Sequence, residues 1–279
     1  MNFNLTEEAK KRILIVAHRG TAGANIPCNT LAACEIALAQ GADMLEIDVE
    51  MSADGKLYVF HPGMEPKHLG TDKRIPQMTS DEIAHLRYVN YDRATTQFGI
   101  NTFDELLESF RGRCFINVDK FWGHPKEIYS AIERHGMTEQ ILAKSMPSED
   151  MLSVLREVAP GLPYMAIARD SYTEHERLLN SGLNYVGVEV WFESDTAEVA
   201  SYEFAEKIHR DGKLLWGNSI VFNHKVRLAA QHTDDNALLG NPELGWGWYV
   251  DHGFDLIQTD WPLMLKNYLT ETKKLYKSI

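Results

Sequence analysis

The chain has 279 residues, a formal net charge of −12, and 44% hydrophobic and 24% charged residues. That length suits one large α/β domain or two small ones, and the acidic balance argues against a nucleic-acid or anionic-membrane surface. No apolar run approaches the ~18 residues of a membrane span, and MNFNLTEEAKKRILIVAHRG at the start has no apolar core of signal-peptide length.

In chain order, ILIVA (13–17) reads as the first strand and closes on His18, Arg19 and Gly20. NTLAACEIALAQG (29–41) has apolar positions at helical spacing and stops at Gly41. MLEIDV (44–49) and LYVF (57–60) follow as strands around a DG turn, the second ending in His61. Residues 62–112 are too long for an ordinary βα loop and hold capped segments at TSDE (79–82) and TFDE (102–105). They read as a small inserted subdomain after the third strand, within a single domain spanning 1–279. Further strands are expected at CFINV (114–118), QILAKS (140–145), PYMAIA (163–168), YVGVEV (185–190), KLLWG (213–217) and DLIQT (255–259). Helix-like segments lie between most of them, one with a capping box at TEHE (173–176). This alternation points to a parallel sheet, with a closed (β/α)8 TIM barrel as the leading architecture. Nine strand candidates compete for eight places, and the sequence does not say which is surplus. A doubly wound sheet is the alternative, but no GxGxxG follows ILIVA. The cysteines, Cys28, Cys34 and Cys114, are odd in number and lack metal-site spacing, which reads as reduced thiols in a cytoplasmic protein.

The chemistry concentrates early. Residues i and i+2 of a strand share a face, so Glu46 and Asp48 project together from an apolar strand. Two such carboxylates repel, and desolvation raises their cost. A divalent cation removes both problems, and hard oxygen ligands suit Mg²⁺, Ca²⁺ or Mn²⁺. Pairing with Arg or Lys at a rim is the other reading, and the spacing alone leaves both open. His18, Arg19 and His61 close neighbouring strands, so two imidazoles, a guanidinium and an acid pair are expected at one end of the sheet. Such a group could hold a phosphate with a metal and an arginine while two imidazoles act as base and acid.

The runs HRG, PCNT and GADMLEIDVEMSADGKLYVFH resemble the glycerophosphodiester phosphodiesterase family, and the resemblance continues through FINVDK (115–120), AKSMPSEDMLSVLREVAP (143–160) and GFDLIQTDWP (253–262). It implies a (β/α)8 barrel and metal-dependent hydrolysis of a small-molecule glycerophosphodiester to sn-glycerol 3-phosphate and an alcohol. It implies His18 and His61 as the acid/base pair, Arg19 on the phosphate, and one divalent cation on Glu46, Asp48 and Asp119. Asp119 stands where the family's N-x-E-x-K pattern has Glu. Lys120 is displaced by one position, so that a bulge would be needed to aim it inward; Lys144 on the next strand is a second source of positive charge, and Asn117 shares a face with Asp119. Cys28 replaces the Glu of the family's PENT and is expected to be structural. HPG replaces the family's HD, removing an Asp beside His61. Later strand ends are expected to line the substrate site: Glu189 shares a face with Trp191, and Trp216 could pack on glycerol carbons or be an ordinary core aromatic. Asp234 and Asp235 could form a second cation site or belong to a capped loop. Two alternative functions remain: a sphingomyelinase D-like lyase releasing a cyclic phosphate, and a barrel that binds a phosphorylated ligand without turnover.

Overall fold

The computed structural model describes residues 3–223 and 225–277. In chain order its strands are β1 (Leu14–His18), β2 (Met44–Met51), β3 (Leu57–Val59), β4 (Phe115–Asp119), β5 (Ile141–Ser145), β6 (Tyr164–Arg169), β7 (Tyr185–Trp191), β8 (Leu214–Asn218), β9 (Val221–Asn223), β10 (Val226–Arg227) and β11 (Leu256–Thr259). Among the described residues, eight of these close a parallel barrel in the order β1-β2-β4-β5-β6-β7-β8-β11, with β11 pairing back onto β1. Helices cover its outside, as the strand–helix alternation required. Among the described residues no helix is long and apolar enough to cross a membrane.

The surplus strand is LYVF. β3 pairs antiparallel with β2, Val49 opposite Val59, and takes no place in the barrel. β2 runs past the barrel rim to Met51, and the chain turns at the DG and descends along it. His61 therefore does not end a barrel strand, as the sequence suggested. It reaches the same level by the return of a hairpin, where the Phe60 amide donates to the Asp48 carbonyl at 3.0 Å.

Alternation along the strands divides the molecule into layers. Outward residues such as Ile15, Leu45, Ile47, Ile116 and Val118 pack under the helices in the main core. Inward residues Leu14, Val16, Met44, Phe115, Leu142, Met165, Leu214 and Leu256 fill the lower barrel, and Leu5 and Ala9 of the helix Leu5–Lys11 close its floor. One step of two residues further up, the inward positions of five strands turn polar, at His18, Glu46, Asn117, Lys144 and Gln258, while β6 and β8 carry Ile167 and Trp216 there. The polar layer thus lies toward the C-terminal ends of the strands, where a (β/α)8 barrel carries its chemistry.

Thr79 and Thr102 cap their helices in reciprocal boxes with Glu82 and Glu105. The TEHE box does not form: that helix begins at His175 with Glu174 as its cap residue and no side-chain cap bond. Within 62–112, the helix Phe103–Phe110 buries Phe103, Leu106, Leu107 and Phe110 in the main core. The preceding stretch packs with β3 around a separate cluster that includes Phe60, Leu69, Ile75, Met78 and Tyr88.

The lower barrel is close-packed, so deleting a methylene-rich side chain there leaves a cavity. Leu142→Ala should destabilise the protein by ~2–5 kcal/mol in denaturant unfolding; a loss below about 1 kcal/mol would contradict this account of the core.

Candidate active site

A tight turn after β1 brings the first site residues together. Arg19 follows β1 in the left-handed region, φ 57°, and Gly20 continues it at φ 76°. A Cβ on Gly20 would lie 2.6 Å from the Ala33 backbone, so only glycine lets this turn pack on the helix behind it. The Arg19 amide donates to both the backbone carbonyl and the Oε2 of Glu46, at 2.9 and 3.0 Å. Its guanidinium Nε sits 3.0 Å from Asp48 Oδ2.

Asp48 is fully buried and is held from a second direction. Asn29, of the PCNT run, donates its amide to Asp48 Oδ2 at 2.9 Å and accepts from the Asp48 backbone at 3.1 Å. The register of β2 on β4 sets Asp48 beside Asp119, and one ligand oxygen each from Glu46, Asp48 and Asp119 lie within 4.8 Å of one another. Asp48 Oδ1 is buried and accepts no hydrogen bond. Lys120 needs no bulge to enter the group. It leaves β4 in the left-handed region, φ 59°, and its Nζ comes back to 2.6 Å from Asp119 and 3.8 Å from Asp48.

The electrostatics follow from this crowding. Burial, then the neighbouring Asp48 charge, pushes the Glu46 carboxyl up to about 7. Burial also presses Asp119 upward, but Lys120 and Lys144 outweigh it and hold that carboxyl below its ordinary value. Three clustered acid oxygens, one of them an orphaned buried acceptor, are a donor set that fits a hard divalent cation.

Each histidine has one ring nitrogen occupied. His18 Nδ1 lies 2.8 Å from Asp260 Oδ1. Burial alone would depress that imidazole, but the Asp260 hydrogen bond and the charges of Glu46 and Asp260 leave it raised. His61 Nδ1 lies 2.8 Å from the Pro62 carbonyl, an acceptor only, so Nδ1 carries the hydrogen and Nε2 is free. Nε2 lies 3.9 Å from Asp48 Oδ1, and burial lowers the pKa of this ring. The Pro62 carbonyl thus orients His61 where the family pattern has an Asp.

Lys144, Glu189 and Trp216 come together from β5, β7 and β8. Lys144 Nζ is 2.6 Å from Glu189 Oε2, both side chains buried, and 3.9 Å from the centre of the Trp216 ring. Trp191 and Asn218 donate to Glu189 Oε1 at 2.8 and 2.5 Å. Lys144 is therefore engaged with a carboxylate, and Trp216 is a buried core aromatic beneath that pair. Cys28 is not activated: burial raises its thiol to about 11, outweighing the Arg19 charge that lowers it, and its contact with His68 Nδ1 is long, at 3.9 Å. Asp234 sits in the first turn of a helix capped by Thr233, with its oxygens receiving Ser219, Trp246, Thr259 and the Asp260 amide. Asp234 braces Asp260. Asn29 and Asp260 are the site residues that sequence reasoning missed, although both stand in runs that it singled out, PCNT and QTDWP.

A family model described as "Glycerophosphoryl diester phosphodiesterase family" matches residues 18–216. The chain belongs to the glycerophosphoryl diester phosphodiesterase family. The chain also matches, over residues 164–269, a model described as a domain of unknown function. It is 26% identical over 190 residues to the glycerophosphodiester phosphodiesterase of Caldanaerobacter subterraneus, covering 61% of this chain and 77% of that one. In structure it is similar to a glycerophosphoryl diester phosphodiesterase from Parabacteroides distasonis, with TM-score 0.78 and 17% identity over 97% of this chain and 93% of the other. An Oleispira antarctica phosphodiesterase in complex with the product sn-glycerol-3-phosphate matches with TM-score 0.68 and 19% identity, over 93% and 97% of the two chains.

The protein should bind a divalent cation more tightly as pH rises through about 7, because Glu46 must lose its proton to become a ligand. Calorimetric titration at pH 6 and 8 reads this directly; affinity that is flat or falls with pH would contradict the assigned environment. In cation-free protein, Asp260→Asn should lower the pH at which the His18 ring titrates by NMR, since the carboxylate is what holds that ring up. An unchanged titration would show that Asp260 does not control it.

Proposed function

We propose that this protein hydrolyses glycerophosphodiesters to sn-glycerol 3-phosphate and an alcohol, with Glu46, Asp48 and Asp119 holding one divalent cation, Mg²⁺ or Ca²⁺ with Mn²⁺ also compatible, and His18 and His61 exchanging protons with the substrate. The observation that carries the reading is the convergence of the three acid oxygens within 4.8 Å, beside Arg19, Lys120 and the two oriented imidazoles. The product complex of the Oleispira protein, on the same fold, agrees with it. When bound, a divalent cation supplies Lewis-acid stabilisation to a phosphoryl oxygen.

The chain's own groups then divide the work. Arg19 and Lys120 face the growing negative charge on the phosphorus-bound oxygens. His61 presents a free Nε2 in its neutral form and is the general base, accepting the proton of the attacking hydroxyl from water or from the glycerol 2-hydroxyl. His18, held toward its protonated form by Asp260, is the general acid and delivers a proton to the leaving alcohol oxygen. Two like groups whose surroundings push them in opposite directions are the arrangement such a division needs. The buried pair Lys144–Glu189, with the Trp216 ring beneath it, supports the substrate site from below.

His18→Ala and His61→Ala should each lower turnover by ~10²–10⁴-fold, with circular dichroism unchanged. Near-parental turnover in either variant would sink the acid/base assignment. Phosphorus NMR of the products should show glycerol 3-phosphate at completion; a cyclic phosphate that persists would instead identify a lyase.

A further inference from the structure

Beside the acid cluster lies a groove of about 600 Å³. Its walls are Trp122, Met146, Met151, Val154, Ile167 and Trp191, and Lys120 stands at its inner end. It is shaped by the ends of β4 to β7 and by the helix Glu149–Val158. Lys120 is the residue whose Nζ touches Asp119 at 2.6 Å, so the groove opens directly onto the acid cluster. Trp191 is anchored by its indole N–H on Glu189, and Trp122 lies under the Lys120 ammonium at 5.1 Å. Of its polar walls, Ser145 Oγ is already shared with the Tyr164 hydroxyl, Ser148 caps the adjoining helix, and Asp150 is an exposed carboxylate in that helix's first turn.

From these observations we propose that the substrate is amphiphilic: a glycerophosphodiester bearing one flexible hydrocarbon chain, its phosphate at the acid cluster and its chain in this groove. The proposal rests on the hydrolytic reading above and names the substrate class for it. A polyol alcohol would need several free hydroxyl or amide partners, and a zwitterionic one would find a single exposed carboxylate, Asp150, against a wall that is otherwise mostly apolar. A rigid flat group calls for a fixed slot, whereas two methionines between two tryptophans form an adaptable wall suited to a flexible chain. The charge arrangement agrees, with the cationic Lys120 at the phosphate end and apolar side chains beyond it. Large apolar side chains are also left exposed around this end of the barrel, with Trp122 at 42% and Met146 at 47%, and Phe222 at 51% and Trp261 at 50% across the mouth. Exposed clusters of this kind mark contact with apolar matter. The reaction is the same hydrolysis: water adds across one phosphorus–oxygen ester bond, its hydroxyl staying on phosphorus and its proton leaving with the alcohol oxygen.

The test uses binding and turnover together. Intrinsic tryptophan fluorescence should report decyl phosphate binding at least ~10-fold more tightly than methyl phosphate, the difference expected from a few buried methylenes. Val154→Glu and Met146→Asp, both outside the proton-transfer and cation groups, should remove that advantage and leave methyl phosphate binding as it was; Met146 is half exposed, so its replacement does not threaten the fold. Kcat/KM should likewise favour monomeric short-chain lysophosphatidylglycerol over glycerophosphoglycerol, and the two variants should lose rate on the first substrate only. Equal binding of the two phosphates would overturn the groove assignment whatever the enzyme hydrolyses. Equal losses on both substrates in the variants would overturn it too. Preferential decyl phosphate binding by a protein that hydrolyses neither diester would keep the chain site and remove the hydrolytic reading.

Discussion

Glu46 and Asp48 are like charges on one buried strand face, and nothing in the lower barrel can offset them. A fold that buries such a pair must surround it with cations, donors or a metal. Arg19, Asn29, Lys120 and the backbone turn at Gly20 are all arranged about this constraint. Even with them in place, Glu46 is left high and Asp48 Oδ1 has no donor. The residual imbalance is what a divalent cation would remove, so the electrostatic strain of the protein chain and the chemistry of its family point to the same place.

Around this pair the chain builds a set of indirect supports. Asp234 spends its buried oxygens on Ser219, Trp246, Thr259 and the Asp260 amide, and Asp260 in turn holds His18. The Pro62 carbonyl does for His61 what a side-chain carboxylate would otherwise do, but as a neutral acceptor. The two imidazoles are thus oriented by groups of different charge; burial lowers His61, whereas the Asp260 bond and the charges of Glu46 and Asp260 overcome burial at His18, and their proton affinities separate. Rigid strands set the acids, and short turns set the groups that exchange protons and meet charge.

Much of this could be read from the residues. The eight barrel strands were legible as short β-rich runs between amphipathic segments, and the acid pair, Arg19 and both histidines were legible because they close or punctuate those runs. The surplus strand was not, because a run of four apolar residues looks the same whether it pairs parallel or antiparallel. The DG turn just before LYVF was the available hint of a hairpin. The direction of Lys120 depended on one left-handed residue, which strand periodicity does not encode. Asp260 lies 242 residues from His18 in the chain, so only the closed barrel brings them together. The groove beside Lys120 draws on several separate strands and loops and has no local sequence pattern at all.

The central claim is that three acids hold one catalytic divalent cation. It is tested most directly by following phosphate ester release from glycerophosphodiesters in chelated protein to which Mg²⁺, Ca²⁺ or Mn²⁺ is added back singly. The account predicts that chelation abolishes release, that one of these ions restores it, and that Asp48→Asn raises the ion concentration needed for half-restoration. Full turnover in thoroughly chelated protein, or the same ion requirement in Asp48→Asn as in the parent, would contradict it.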